Sequence, residues 1–594
     1  MFAKLNSPIP LVLFAILSIA ALSVVGAREF RLASAGPPPP LVVTTNADTN
    51  DGTCDADCSL REAIIAANAN PGVDTITVPA DTYTFTIVGG KEDLAATGDL
   101  DITDDLTING ADAATTAIDA ATLDRVFHVD PGESGITVNI SDLTITGGKP
   151  PGNGGGILNS GAVLTVEDSV ITGNDAGAGS GASGGGIRNA GASILVVNNT
   201  EISDNVVTAS TGDGGGVTND DTAVATINDS VIVRNSASQG GGVHTTHGAA
   251  TIINNSVIAD NEAFNGGGIY QAPPAAGNSI DIANTTISGN SATNTGGGIF
   301  KLGDGTINLN NVTVTNNTAD SDSADGGDGG GIANAEDSGI NLKNTIVAGN
   351  FDSTSDPDCL GTLTSQGYNL IEVVSPGCTI GGDTTGNVIG VDPLLMPLSD
   401  NGGPSETHAI PAGSAAVDAG NPTNPGSGGD ACEAADQRGV SRPLDGDTDT
   451  VALCDIGAFE APGDPPTATP APTATPVSTP TPSATPSPTT TPTPTANALW
   501  GDNDCDIDAD AVDGLKGLQH IAAIGFTQNE PCPDLGSDQE ITTAGFGLKT
   551  WGDVDCDGDV DAVDALNILR FVAALPSLET GPDCPDVGAA IILG

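Results

Sequence analysis

The chain has 594 residues, and 76 acidic side chains against 16 basic ones leave a formal net charge of −60 at pH 7. Nucleic acid and anionic lipid are thereby excluded as partners, because holding phosphate takes clustered Lys and Arg. The same charge favours solubility and cation binding, although a solvated acidic exterior accounts for most of these carboxylates.

In chain order, Lys4 precedes an apolar run from Leu11 to Ala27, and the small residues Ala33-Ser34-Ala35 follow. This reads as a secretory signal peptide over residues 1–35 or, if uncleaved, as an anchor. After cleavage no segment is long and apolar enough to span a membrane. The ten cysteines agree with export and fall into local pairs, Cys54/Cys58, Cys359/Cys378, Cys432/Cys454, Cys505/Cys532 and Cys556/Cys584. An even count in an exported chain points to disulfides rather than zinc or a catalytic thiol. The expected location is extracellular or on a bacterial cell surface.

Residues 41–460 are repetitive. A Gly-Gly-Gly-[Ile/Val] block begins at Gly154, Gly184, Gly214, Gly240, Gly266, Gly296 and Gly329. It alternates with [Ile/Val]-x-x-Asn words ending at Asn174, Asn205, Asn235, Asn261, Asn290, Asn317 and Asn350. A period of roughly 30 residues, with short alternating strands and no helical pattern, predicts a β-solenoid. Its most probable form is an all-β right-handed parallel β-helix of the pectate-lyase type. Ile157, Ile187, Val217, Val243, Ile269, Ile299 and Ile332, which follow the glycine block in each coil, should face inward in register. Glycine should supply positive φ at the corners, and the recurrent asparagines should form an amide ladder from coil to coil.

An open β-helix end exposes a sheet edge that must be covered. Ser59-Leu-Arg-Glu62 is a capping box and predicts a short covering helix to about Asn68. The words Cys58-Ser-Leu-Arg-Glu-Ala63 resemble the CSLREA-motif start of bacterial exported β-helix proteins. Asp392-Pro-Leu-Leu, Asn401-Gly-Gly403, Thr407-His408, Asp436-Gln-Arg-Gly439, Arg442-Pro443 and Cys454-Asp-Ile-Gly-Ala-Phe-Glu460 resemble the terminal segment of the same group, sometimes called choice-of-anchor Q. That resemblance implies a C-terminal cap, with His408 hydrogen-bonded inside it. The paired repeats over about 150–350 also resemble those of polymorphic outer-membrane proteins. Residues 461–497 are almost wholly Pro, Thr, Ser and Ala, a semi-rigid polyproline II stalk.

Residues 498–594 carry a duplicated loop. Asp553, Asp555, Asp557, Asp561 and Asp564 stand at positions 1, 3, 5, 9 and 12, with Gly558 at the sharp turn and the Asp559 carbonyl available at position 7. This spacing wraps a hard divalent cation in oxygens and favours Ca²⁺. Asp502, Asp504, Asp506, Asp508, Asp510 and Asp513 repeat the pattern 51 positions earlier, with Ile507 where glycine is expected. Residues 562–575 are helical in period, with Leu566, Leu569 and Val572 on one face. Two loop–helix units in tandem resemble a type I dockerin, a small α-helical domain with EF-hand-like loops. The resemblance implies two Ca²⁺ sites and docking onto a cohesin-like or envelope protein. The polar recognition residues of cohesin-binding dockerins are replaced here by Ala511-Val512 and Ala562-Val563.

No catalytic residue stands out. Arg188 and Arg234 fall in different coils and different phases of the repeat. Asp220-Asp221 is a paired carboxylate of the kind a glycosidase uses, but it reads as a loop cluster after Val217-Thr-Asn219. His244 and His247 should point to opposite faces if both lie on a strand, whereas a loop could converge them on a metal. Tyr83, Tyr270 and Tyr368 are scattered, so an aromatic platform for sugars is not expected. The primary reading is therefore a non-catalytic surface protein for adhesion or recognition. The first alternative is a polysaccharide lyase or glycoside hydrolase, marked by a cleft with three or more carboxylates and a Lys or Arg; the second is a structural spacer.

One expectation concerns the metal. Calorimetry on residues 498–594 should show two unequal Ca²⁺ sites, the weaker at the first loop, because Ile507 must adopt a backbone shape that glycine takes at little cost. Two equal sites would refute the role given to Ile507.

Overall fold

Each repeat contributes short segments in which alternate residues are apolar, and such strands bury their apolar side only by stacking on copies of themselves. The computed structural model describes residues 40–463, apart from 91, 178, 180, 274–276, 323–326, 337–338, 354–355 and 448–449, together with four short strands beyond residue 497. The chain divides into two units, Met1–Pro470 and Ala471–Gly594. In the second, Ala498–Leu499 pairs antiparallel with Ala590–Ile591, and Asp538–Ile541 with Gly547–Thr550. The signal segment, the calcium loops and their helix, Cys505, Cys532, Cys556 and Cys584 lie outside the described residues.

The first unit is a parallel β-helix with three strand positions per coil. Five-residue strands such as Val163–Glu167, Ile194–Asn198 and Val224–Asn228 stack in parallel. Three-residue strands such as Val170–Thr172, Glu201–Ser203 and Val231–Val233 belong to a 12-stranded sheet. A third ladder follows the glycine blocks. Ile157, Ile187, Val217, Val243, Ile269, Ile299 and Ile332 pair in one unbroken register and are fully buried. The first and third ladders join in one 22-stranded sheet, because Cys359–Gln366 belongs to both. The core is these inward columns, among them Ile145, Ile171, Ile202, Ile232, Ile258 and Ile287.

The glycine block is required by geometry. Gly214 has φ +63°, and a Cβ on Gly215 would lie 2.5 Å from the carbonyl oxygen of Gly241 in the next coil. The opposite corner, between the first two strands, uses Asp168, Asn199, Asp229, Asn255 and Asn284, all at φ between 44° and 51°. Asn and Asp reach this left-handed region more readily than other side chains do.

The asparagine ladder runs through the interior. Asn174, Asn205, Asn235, Asn261, Asn290 and Asn317 each donate a side-chain N–H to the amide oxygen of the next rung at 2.9–3.0 Å, ending on Asn350. Asn235 is fully satisfied. Its amide donates to Ile202 O and Asn261 Oδ1, and its oxygen accepts both the amide and the backbone N–H of Asn205. Asn350 donates to Asp358 Oδ1 at 3.0 Å, and burial pushes the Asp358 carboxyl up to about 6.

The capping box at Ser59 and Glu62 opens a helix over Leu60–Ala69, whose Leu60, Ala63 and Ile64 pack into the start of the core. Disulfides join Cys54–Cys58, Cys359–Cys378 and Cys432–Cys454. Arg61 is 1% exposed. It pairs with Asp48 at 2.6 Å and donates to the carbonyls of Ala95, Gly98 and Asp99.

The C-terminal segment departs from expectation: it does not simply close the end of the rod. It runs back along the side of the solenoid, where Ser405 donates to Asn255 O, Thr286 to Gln437 Oε1 and Asn310 to Glu433. His408 bonds inside the segment as expected, its Nδ1 2.6 Å from Met396 O, and its Nε2 lies 2.8 Å from Ser288 Oγ on a solenoid strand, so it also ties the segment to a coil. Ile410, Val417, Ile456 and Phe459 supply apolar contact with Ile346 and Leu370, and Ala461 joins this cluster, so the domain reaches into the first residue assigned to the stalk. The Arg-Pro and Phe-Glu words meet in a buried pair, Arg442 with Glu460 at 2.6 Å. Burial and the neighbouring Glu460 push Asp455 up to about 8.

Asn235→Ala should cost about 2–4 kcal/mol, because it orphans the buried donors of Asn205 as well as losing its own bonds. Asn308→Ala, in a partly exposed side-chain ladder where Asn341 donates to Asn308 and Asn308 to Asp281, should cost under ~0.5 kcal/mol. Chemical denaturation of both variants distinguishes a structural ladder from a decorative one.

Candidate active site

The middle residue of each strand in the third ladder points out of the core, and parallel register aligns these residues in one row. That row reads Asp101, His128, Leu158, Arg188, Thr218, His244, Tyr270, Phe300 and Ala333. Loops on both sides of it close a cavity of about 410 Å³ lined by Arg188, Asp213, Thr218, Asp220, His244, His247 and Tyr270.

Asp220 is the hub. Its residue is 9% exposed, Oδ2 accepts from Arg188 Nη2 at 2.6 Å, and Oδ1 lies 2.7 Å from His247 Nδ1. Burial by itself would raise its pKa, but the bonds from His247 and Arg188 outweigh that and hold it below the ordinary carboxylate value. Asp213 has the opposite environment. Burial and the charge of Asp220 push it up to about 6. The site therefore pairs one carboxylate held ionised with one that keeps its proton in mildly acidic solution, the division of labour that acid–base catalysis uses.

His244 and His247 depart from expectation. His247 lies beyond its strand, at φ 51° in a left-handed turn. The turn brings its ring to the same cavity as His244. With Asp220 ionised, Nδ1 of His247 donates and Nε2 is left as acceptor on a side chain 52% exposed. His244 is buried, which lowers its pKa to about 4 and keeps the ring neutral. It stacks on Tyr270 at 5.3 Å and 8°, and Tyr270 meets Phe300 at 5.4 Å. Tyr270 is thus part of an aromatic column, although all three rings are buried and offer no open platform. Asp220-Asp221 is also more than a solvated loop pair. Arg234 serves another face, where it pairs with Asp204 at 2.9 Å.

Among the described residues, three groups of side chains lie close enough to share a metal ion: Asp220, Asp221 and His247; Asp93, Asp101 and His128; and Asp418, Asp445 and Asp447. The sequence pattern marks none of the three as a metal site, although Asp220-Asp221 and His247 stand out separately. Reading the middle residue after each glycine block as a column would have found Arg188, His244 and Tyr270.

No protein-family model matches the chain, and no curated protein matches it. Among solved structures, that of pectate lyase Pel9A is similar at 13% identity and a TM-score of 0.38, over 71% of this chain and 96% of that one. The A-module of the mannuronan C-5 epimerase AlgE4 from Azotobacter vinelandii is similar at 16% identity and a TM-score of 0.30, over 59% and 97%. The Agl-KA catalytic domain is similar at 14% identity and a TM-score of 0.27, over 60% and 69%. These likenesses are distant, and none lends its substrate to this chain.

The Asp213 carboxyl carbon should titrate near pH 6 by NMR. Because its folded-state pKa is raised, the stabilisation from its proton is present at low pH and lost as pH rises through that value. Asp213→Asn should therefore gain stability over the parent from about pH 4 upward, with the difference levelling off above about pH 6. A difference that does not change across this window would place Asp213 in ordinary solvent.

Proposed function

We propose that the protein is an exported enzyme that cleaves a polysaccharide by acid–base chemistry. The observation that carries this reading is the cavity in which Asp213, Asp220 and His247 converge with Arg188. Asp213 donates a proton to the departing glycosidic oxygen. His247 accepts one through Nε2, from the sugar carbon in an elimination or from water in a hydrolysis. Asp220 orients His247, and Arg188 keeps Asp220 ionised. The cavity brings two carboxylates together with Arg188, one fewer than the three asked of an enzyme cleft; the pairing of Asp213 with His247 is what favours the enzyme over adhesion.

Further parts of this reading rest on the sequence. The apolar N-terminus supports secretion, and the disulfides suit an oxidising compartment. No helix among the described residues is long and apolar enough to cross a membrane. The duplicated aspartate loops support a dockerin-like Ca²⁺ module that attaches the enzyme to a cohesin-like or envelope protein.

The test is incubation of the full chain with neutral and uronate-containing polysaccharides, scored for new reducing ends and for unsaturated uronate ends. Cleavage is expected, with the second product marking elimination. Asp213→Asn and His247→Gln should each lower kcat by about 100-fold or more, with circular dichroism unchanged. Parent-like rates in both variants, or no cleavage of any substrate by concentrated protein, would return the rod to a binding or spacer role.

A further inference from the structure

The outward row that holds Arg188 begins with a second constellation nearer the N-terminus. Asp101 and His128 are register partners on adjacent strands. Asp101 is 0% exposed, yet its Oδ1 has no hydrogen-bond partner, while its Oδ2 accepts from Ala95 N at 2.8 Å. A carboxylate oxygen left bare in the interior is costly. It faces His128 Nδ1 at 3.4 Å, and Asp93 Oδ1 lies 3.8 Å from the same nitrogen. All three ligand atoms fall within 4.8 Å of one another.

These separations suit a shared ion better than an ion pair. A charge-assisted N–H to carboxylate bond closes to about 2.7–2.9 Å. Ligands about 2.1 Å from a tetrahedral metal stand about 3.4 Å apart. Outer contacts orient Asp101 and His128, while the Asp93 side chain is 67% exposed. His128 Nε2 lies 3.1 Å from Ser160 Oγ, which leaves Nδ1 free as a lone-pair donor when Nε2 carries the proton. The loop that brings Asp93 and Ala95 is held by Arg61 through the carbonyls of Ala95, Gly98 and Asp99. The surroundings are rich in negative charge, since Asp99 and Asp124 are also buried and only Arg125 pairs with Asp99, at 2.6 Å.

We infer that Asp93, Asp101 and His128 hold a divalent transition-metal ion. One imidazole with two carboxylates suits Zn²⁺ or Mn²⁺, whereas a site for Ca²⁺ is built from oxygen alone. Three protein ligands leave at least one coordination position open. The site is separate from the Arg188 cavity, two coils or about 10 Å along the rod. It does not depend on the proposed polysaccharide cleavage.

The experiment uses the full chain, stripped with chelator and returned to excess Ca²⁺ so that hard-cation loops are filled, then titrated with Zn²⁺ by calorimetry. One Zn²⁺ equivalent should disappear, or weaken by about 30-fold or more, in both Asp101→Asn and His128→Gln, and persist in His247→Gln. Crystals of the parent soaked in Zn²⁺ should show an anomalous peak within bonding distance of Asp93, Asp101 and His128, a readout that needs no variant to fold. Zn²⁺ stoichiometry and affinity unchanged in both variants, or anomalous peaks only elsewhere, would show that Asp101 and His128 form no more than a buried ion pair.

Discussion

Everything in the rod depends on one constraint: each coil must lie on the next with no slip. A strand displaced by one residue would turn its apolar side outward, and here every ladder would slip together. The core columns reward the correct register without being very selective, since Ile, Val and Leu interchange along them. The amides are selective. Asn235 uses both donors and accepts twice, all toward defined atoms of adjacent coils, so a shifted coil would bury polar groups without partners.

The same register builds the cavity. The outward row has no packing duty in the core, and its residues vary from Leu158 to Arg188 to His244 while their neighbours inside hardly change. Chemistry is thus written on a surface whose spacing the interior fixes. The turn after each strand adds a second row, and Asp220, Thr246 and Ala272 occupy it through equivalent backbone bonds to Asn189, Asn219 and Thr245. Arg188, Asp220 and His247 come from three successive coils, which is why no local motif announces them.

Much of the fold was legible because repetition is redundant. The glycine and asparagine words recur often enough to fix register, and Ser59 with Glu62 carries its own geometry. The side-lying course of the C-terminal segment was not legible, because its partners, such as Asn284 with Ala435 and Asn311 with Gly457, are separated by more than a hundred residues of chain. The site was half legible. Asp220 and the two histidines were visible as residues, but strand alternation was applied to His247 where a left-handed turn governs. Asp213 gave no signal, since its altered acidity comes from burial and from Asp220 at the other end of the strand that follows it.

The amide ladder also has a direction. Every rung donates toward the C-terminal coil, so its far end always presents an N–H group that needs an acceptor and can offer nothing in return. A further asparagine would only pass the demand onward. A carboxylate accepts without donating, and Asp358 stands at that place. The ladder is therefore open to growth by whole coils at any interior rung, and its length is set by a single change from amide to acid.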